Sequence, residues 1–267
     1  TARLDFPWMA VTLGSSTMLT IPSSTVLSTV LEQGRAEFAG PGGDIVKIHV
    51  GEGEVRGGGR LVLRRSVGRT SATALEGAFR VRAAGRTVEI KALDDGYEPE
   101  RCAANTKAFI DEDVFALFGY VGTPTGLAAL PLVNASELPL LGMFTGAEAL
   151  REPFSRNIFH VRASYYDETA LIVRQLTNLD LKRIAVFRQN DSYGQAGLDG
   201  VTRALKAQQL EAVATGTVER NSVDVAAAVE RILPGKPEAI VQISAYKSCA
   251  AFVRAARKAG YTGQFYN

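Results

Sequence analysis

The sequence is short of the residues that most often carry chemistry. Its 267 residues include two cysteines, Cys102 and Cys249, and two histidines, His49 and His160. Cysteines this far apart make neither a disulfide framework nor a metal-ligand spacing. Two histidines leave little from which to build a catalytic triad or a metal cluster. Charge of one sign is also lacking: the formal net charge is +2, too small to single out a nucleic-acid or membrane partner. No uninterrupted apolar run approaches the roughly 18 residues that mark a membrane-spanning helix. What remains is the composition of an ordinary globular protein, 46% hydrophobic and 22% charged. The length suits two domains or one large one.

The charge is unevenly spread, the amino-terminal third being basic and the remainder slightly acidic. Residues 1–43 read poorly as part of a domain. Their apolar stretch from Met9 to Leu31 is interrupted by Ser and Thr and ends near Ala36-Glu-Phe-Ala39. That tail is like a signal-peptide cleavage site; an irregular β-rich arm fits equally. Asp44 to Val50, with Ile45, Val46, Ile48 and Val50, is the first clean strand candidate. Gly51-Glu-Gly53-Glu-Val-Arg-Gly57 follows it, one residue too long for a dinucleotide fingerprint and not followed by a helix. Arg56 to Arg86 holds eight arginines and one acid, Glu76. Without an RNA-binding motif it reads as a solvated helix face rather than a phosphate patch, with Ala72, Leu75, Phe79 and Val81 giving partial apolar periodicity.

From Thr87 the pattern is regular. Strands are expected at Thr87–Leu93, Phe115–Phe118, Leu138–Leu141, Ile158–Arg162, Arg183–Phe187, Ala212–Val218, Glu238–Ile243 and from Phe265. Helices are expected at Pro99–Asp111, from Thr123-Pro124, and over Asp167–Leu179, Tyr193–Gln208, Val223–Leu233 and Ser248–Ala259. Alternating strands and helices with short loops predict parallel sheets covered by helices on both faces. The alternation weakens between Ala149 and Asp167, which places a boundary between two lobes near Arg162. The stretch Phe115–Thr145 is central: Thr123 as N-cap and Pro124 as first helical residue would present a helix amino terminus to the crevice at the carboxyl ends of the strands. Such an end suits an anionic group.

Five short motifs lie in a consistent order: Asp94-Asp95, Gly122-Thr-Pro-Thr125, Thr145-Gly-Ala-Glu148, Arg162-Ala-Ser-Tyr-Tyr166 and Asp191-Ser-Tyr-Gly194. Together they resemble the periplasmic amino-acid-binding proteins, most of all the leucine/isoleucine/valine-binding branch, over about Val88 to Asn267. The resemblance implies an α/β fold of two Rossmann-like lobes, parallel sheets flanked by helices, of the type I periplasmic binding protein kind. It assigns residues 44–162 to lobe one, with 44–86 divergent, and 163–267 to lobe two. It implies a receptor that does no chemistry, needs no cofactor or metal, and binds a branched-chain amino acid or similar small carboxylate between the lobes. It also implies a periplasmic location and the membrane permease of an ABC importer as partner, and no nucleic acid. Gly122, Thr123 and Thr125 resemble the lobe-one carboxylate site, completed by Phe144 and Thr145. Tyr193 and Tyr246 resemble the lobe-two contacts, and Tyr165, or its neighbour Tyr166, lines the same cleft.

Gly51–Arg60 stands where the family has a cleft-facing loop of small residues. The partner of a lobe-one disulfide has no counterpart near Gly122, which leaves Cys102 free. The acidic residue that holds a ligand amine would fall at or beyond Asn267, and the return to lobe one would follow it. The expectation is therefore an incomplete copy of the fold and of its cleft. A regulatory ligand sensor on the same fold is the alternative. A Rossmann-like enzyme is a more distant one, given the failed glycine fingerprint and the absence of a G-x-S-x-G elbow.

Overall fold

A computed structural model describes residues 89–267 with their side chains, and in residues 1–88 the backbone of the strands named next. These are β1 (Ala2–Phe6), β2 (Met9–Leu13), β3 (Met18–Thr20), β4 (Ser28–Ala39), β5 (Val46–Val50), β6 (Gly53–Ser66), β7 (Arg69–Ala83) and β8 (Arg86–Ala92). They form one sheet in the order β1-β2-β4-β5-β6-β7-β8, with β3 against β4. The chain divides into two compact units, Thr1–Asp94 and Asp95–Asn267.

Two expectations are corrected here. The helix face read across Arg56–Arg86 is instead the antiparallel pair β6–β7. Gly57, Gly58 and Gly59 are poor helix formers, and Phe79-Arg-Val-Arg82 alternates with the period of a strand. The strand at Thr87–Leu93 is present as β8, but it pairs antiparallel with β7 rather than joining a parallel sheet. The side chains of the arginine cluster and of Gly51–Arg60 lie outside the described residues. So do the segments joining β1 to β4, and with them the signal-like reading of residues 1–43.

The second unit has the expected alternation. It begins with α1 (Pro99–Asp111), where Pro99 takes the first turn, a position that needs no N–H partner. Then come β9 (Leu117–Phe118), α2 (Thr123–Ser136), β10 (Leu140–Leu141), β11 (Ile158–Phe159) and α3 (Tyr165–Asn178). The chain continues with β12 (Ile184–Gln189), α4 (Ser192–Ala207), β13 (Thr215–Val218), α5 (Ala226–Ile232), β14 (Ala239–Ile243), α6 (Tyr246–Lys258) and β15 (Gln264–Tyr266). All pairings among β9–β15 are parallel, in two sheets of order β11-β10-β9 and β13-β12-β14-β15. The stretch around Arg162 lies between the last strand of the first sheet and the first strand of the second.

Alternation along β12 and β14 explains how helices cover both faces of the second sheet. Ala185, Phe187 and Ile240 face α5 and α6, packing with Ala228, Ile232, Cys249, Phe252 and Ala256. Ile184, Val186, Ala239, Val241 and Ile243 face α3 and α4, packing with Val173, Leu176, Val201 and Leu205. A strand buried on both sides reads as a continuous apolar run, as Ile184–Phe187 does. The Phe187 and Phe252 rings stack at 4.0 Å in the first of these layers. The core of the first sheet is smaller: Cys102, Leu117, Ala129, Val133, Leu140, Met143, Leu150 and Ile158 converge with Tyr165. Both Cys102 and Cys249 are free and buried.

Candidate functional site

The loops leaving β9 and β10 are zipped together by their backbones. Phe144 N–H donates to Tyr120 O at 2.7 Å and Gly122 N–H to Phe144 O at 3.2 Å, extending the pairing one step beyond the strands. A third segment joins when Tyr165 N–H donates to Gly146 O at 2.7 Å. Gly146 permits this approach, since a Cβ there would lie 2.8 Å from Ala163 O. Parallel strands thus deliver residues 120–126, 144–147 and 164–165 to one crevice at their carboxyl ends, the position where open α/β sheets hold ligands.

Thr123 is not the N-cap of α2. It is the first helical residue, and Gly122, at φ 103°, takes the cap position. The Thr123 hydroxyl instead meets the Thr145 hydroxyl at 2.7 Å. Thr145 also accepts from Ala147 N–H at 3.2 Å and reaches the Tyr165 hydroxyl at 3.4 Å. Thr125 turns its hydroxyl back to the carbonyls of Val121 and Gly122, the latter at 3.1 Å. All three threonines are buried. An α-helix leaves its first N–H groups without intrahelical acceptors, so the first turn of α2 adds donors and positive potential beside the Thr123–Thr145 pair.

Tyr165 and Tyr193 complete the floor. Their ring centroids are 5.6 Å apart, with planes tilted at 42°. Burial pushes the Tyr193 phenol well above its ordinary pKa, with Tyr165 and Tyr97 as further neighbours that disfavour its ionisation. Tyr193 follows Asp191, whose Oδ1 caps α4 by accepting from Tyr193 N–H at 3.0 Å and Gly194 N–H at 3.3 Å. Arg162 flanks the crevice, its guanidinium over the Phe144 and Tyr165 rings at 5.1 and 5.2 Å and bonded in a fork to Glu168 at 2.8 and 2.6 Å.

The structure therefore brings together Gly122, Thr123, Thr145, Tyr165 and Tyr193, with Thr125 directly beneath. Phe144 shares the loop, but its side chain is largely exposed at 65%. Tyr246 is the first residue of α6, 76% exposed, with Lys247 over its ring at 6.0 Å. Among the described residues no group of three His, Cys, Asp or Glu side chains is placed to hold a metal ion.

Sequence reasoning missed a second group. Tyr97 has a left-handed backbone, φ 61°, held by Asp95 Oδ1 accepting from its N–H at 2.7 Å. Its ring lies directly on Gly122: a Cβ added to that glycine would be 2.1 Å from Tyr97 Cε2. Gln189, fully buried at the end of β12, donates from Nε2 to the Tyr97 hydroxyl at 3.2 Å and to Asp191 Oδ2 at 2.6 Å. Next to it, Glu98 accepts from Arg220 at 2.7 Å and from Asn221 at 2.8 Å. These contacts join the start of α1 to the carboxyl ends of β12 and β13. Burial, with Asp191 and Tyr165 nearby, raises the Tyr97 phenol to about 12.

Two parallel sheets flanked by helices, with polar and aromatic loop residues gathered at their carboxyl ends, define an α/β fold. The chain belongs to the periplasmic binding protein family, whose profile matches residues 63–267. A possible leucine/isoleucine/valine-binding protein from Rhodopirellula baltica SH 1 is similar at 38% identity and a TM-score of 0.63, over 66% of this chain and 49% of that one. A substrate-binding periplasmic protein from Ralstonia solanacearum shares 30% identity with a TM-score of 0.65, over 68% and 52%. A leucine binding protein from Thermotoga maritima MSB8, at 22% identity and a TM-score of 0.61 over 68% and 52%, shares the fold. The chain spans about half the length of these proteins. A comparison with curated protein sequences gives no match.

Proposed function

We propose that the chain is the ligand-binding part of an extracytoplasmic receptor that delivers a small carboxylate, such as a branched-chain amino acid, to the membrane permease of an ABC importer. The observation that carries this reading is the buried pair of hydroxyls, Thr123 and Thr145, set 2.7 Å apart at the first turn of α2. A carboxylate oxygen arriving there would meet hydroxyl donors and backbone N–H groups together, and charge-assisted bonds of this kind are the strong ones. Tyr165 and Tyr193 supply the apolar surface against which a ligand side chain would rest, the usual division of labour in small-molecule pockets. The 38% identity to a possible leucine/isoleucine/valine-binding protein supports the ligand class.

The reading is of a non-enzymatic receptor working outside the cytoplasm. Gly122, Thr123, Phe144 and Thr145 serve the carboxylate from the first sheet, with Thr125 contributing its backbone N–H rather than its hydroxyl; Tyr165, Tyr193 and Tyr246 serve the rest of the ligand. A thermal-shift screen against leucine, isoleucine, valine, phenylalanine and simple aromatic carboxylates tests it, because a ligand that binds only the native state raises the melting temperature with concentration. A dose-dependent rise with one class is the expected result. A cooperative melt unmoved by every carboxylate rejects the proposal.

A further inference from the structure

We propose that Tyr97 is a specificity-determining residue of the crevice, its ring forming a wall over the Gly122 end of the Thr123–Thr145 site and limiting the size of the ligand side chain. The inference rests on the reading that this site binds the ligand, and it concerns a residue outside the loops that carry that reading.

The geometry leaves the ring little choice of position. Its backbone is fixed in a left-handed turn by Asp95. The following residue, Glu98, is tied to Arg220 and Asn221. The hydroxyl is held by Gln189, which has no exposed surface and is itself fixed by Asp191. Between these anchors the ring lies against the Cα of Gly122, where even a methyl group would overlap it. Gly122 is also the residue that caps the helix carrying Thr123. Tyr165 is among the neighbours that disfavour ionisation of the Tyr97 phenol, and Tyr97 is among those that disfavour ionisation of Tyr193. Tyr165 and Tyr193 have ring centroids 5.6 Å apart, and the Tyr97 ring lies on the glycine that opens the helix carrying Thr123. Tyr165 belongs to the first core and Tyr193 packs against both sheets, whereas Tyr97 stands on a turn. It is the ring whose removal would clear the Gly122 end of the site without emptying a core.

A wall held at both ends discriminates by size, because a ligand too large for the space must displace the ring and break its bond to Gln189. Removing the ring should admit larger side chains, while removing the hydroxyl alone should leave the size limit standing.

The test is isothermal titration of the whole chain and of its Tyr97→Ala and Tyr97→Phe variants with valine, leucine and phenylalanine. Tyr97→Ala should raise the affinity for phenylalanine relative to valine by about tenfold or more, the scale on which pockets distinguish one or two carbon groups. Tyr97→Phe should keep the wild-type ratio. An unchanged ratio in Tyr97→Ala overturns the proposal, as does an equal change in Tyr97→Phe, which would place the effect in the hydroxyl. Should Tyr97→Ala fail to melt cooperatively, Tyr97→Leu takes its place with the same outcomes. Wild-type protein that binds none of the three, nor any carboxylate of the thermal-shift screen, would reject the preceding functional reading and this proposal with it.

A ligand-free arm separates the two ideas. Gly122→Ala is strained in any background by its positive φ, so the coupling is read from a double-mutant cycle. Gly122→Ala should lower the melting temperature less in the Tyr97→Ala background than in wild type. Equal losses would show that the ring does not cover Gly122 and would overturn the wall, whatever binds.

Discussion

The hydroxyls of Thr123 and Thr145 meet at 2.7 Å although 22 positions separate them in the chain. Each comes from a loop at the carboxyl end of a neighbouring parallel strand, and both are buried. Neither is needed to cap a helix. This is a polar contact in a position where apolar side chains would pack as well, and that sets up the first test.

Replacing Thr123 by Val keeps the shape and removes the hydroxyl. The apo protein should lose about 0.5–1.5 kcal/mol, the net worth of one hydrogen bond, because the Thr145 hydroxyl keeps Ala147 N–H and the Tyr165 hydroxyl as partners. Binding of leucine should weaken about tenfold or more while binding of leucinamide, which lacks the carboxylate charge, changes little. Titration calorimetry on the two ligands checks this. Thr125→Val offers a contrast, since that hydroxyl is bonded to backbone carbonyls of its own turn. It should lower the melting temperature with the preference between leucine and leucinamide intact.

Tyr193 separates packing from contact less simply. It is part of the surroundings of both sheets' cores, so Tyr193→Ala should destabilise the apo protein by about 3–5 kcal/mol, as large aromatic truncations do. The informative variant is Tyr193→Phe, which keeps the ring and its contact with Tyr165. If the phenol touches ligand, Tyr193→Phe should melt like wild type yet bind at least about fivefold more weakly, the loss of about one neutral hydrogen bond. Wild-type affinity would place the hydroxyl outside the ligand's reach.

The buried thiols and phenols make the fold sensitive to alkali. Burial lifts Cys249 from its ordinary 9.0 to about 11, and Cys102 and Tyr97 to about 12. Native pKa values above unfolded ones mean that the native state holds these protons more tightly. Their contribution is thus complete below about pH 9 and is lost as pH rises through the native values. Denaturant midpoints should be flat across neutral pH and fall steadily from about pH 9 to 12. The thiols should also resist a thiol-specific reagent at pH 8 until the protein is unfolded, because the protonated form is the unreactive one.

At Gly194 the constraint is steric. A Cβ there would sit 1.8 Å from the Gln189 carbonyl oxygen, a backbone atom that cannot swing aside. Gly194→Ala should therefore cost about 3 kcal/mol, the upper part of the range for overpacking, despite the gain in helix propensity. Chemical denaturation gives the value directly.

The helices of the second unit could be read closely from sequence. Pro99 opens α1, Ser164 caps α3 through Asp167 N–H, and Asp191 caps α4, all local signals. The run Ile184–Phe187 announced a strand buried on both faces. Thr123 was misplaced because a threonine before proline looks like a cap, whereas the hydroxyl's actual partner, Thr145, lies on another loop. Tyr97 was passed over for the same reason. The Asp94-Asp-Gly96 turn is visible in the sequence, but the destination of the ring is set by Gln189, 92 positions on. In the first unit, arginine-rich periodicity suggested a helix where the glycines and the alternation at Phe79–Arg82 favour strands. Local chemistry names elements; it does not say which side chains meet across them.

The bonds from Glu98 to Arg220 and Asn221 span more than 120 positions of chain. Contacts of such separation form late, since a long loop must be closed before they give anything back. On a ribosome, the turn that carries Tyr97 would emerge well before the residues that fix it. The crevice would then be the last part of this unit to set, and its tyrosines would wait, unburied, for β13 to arrive.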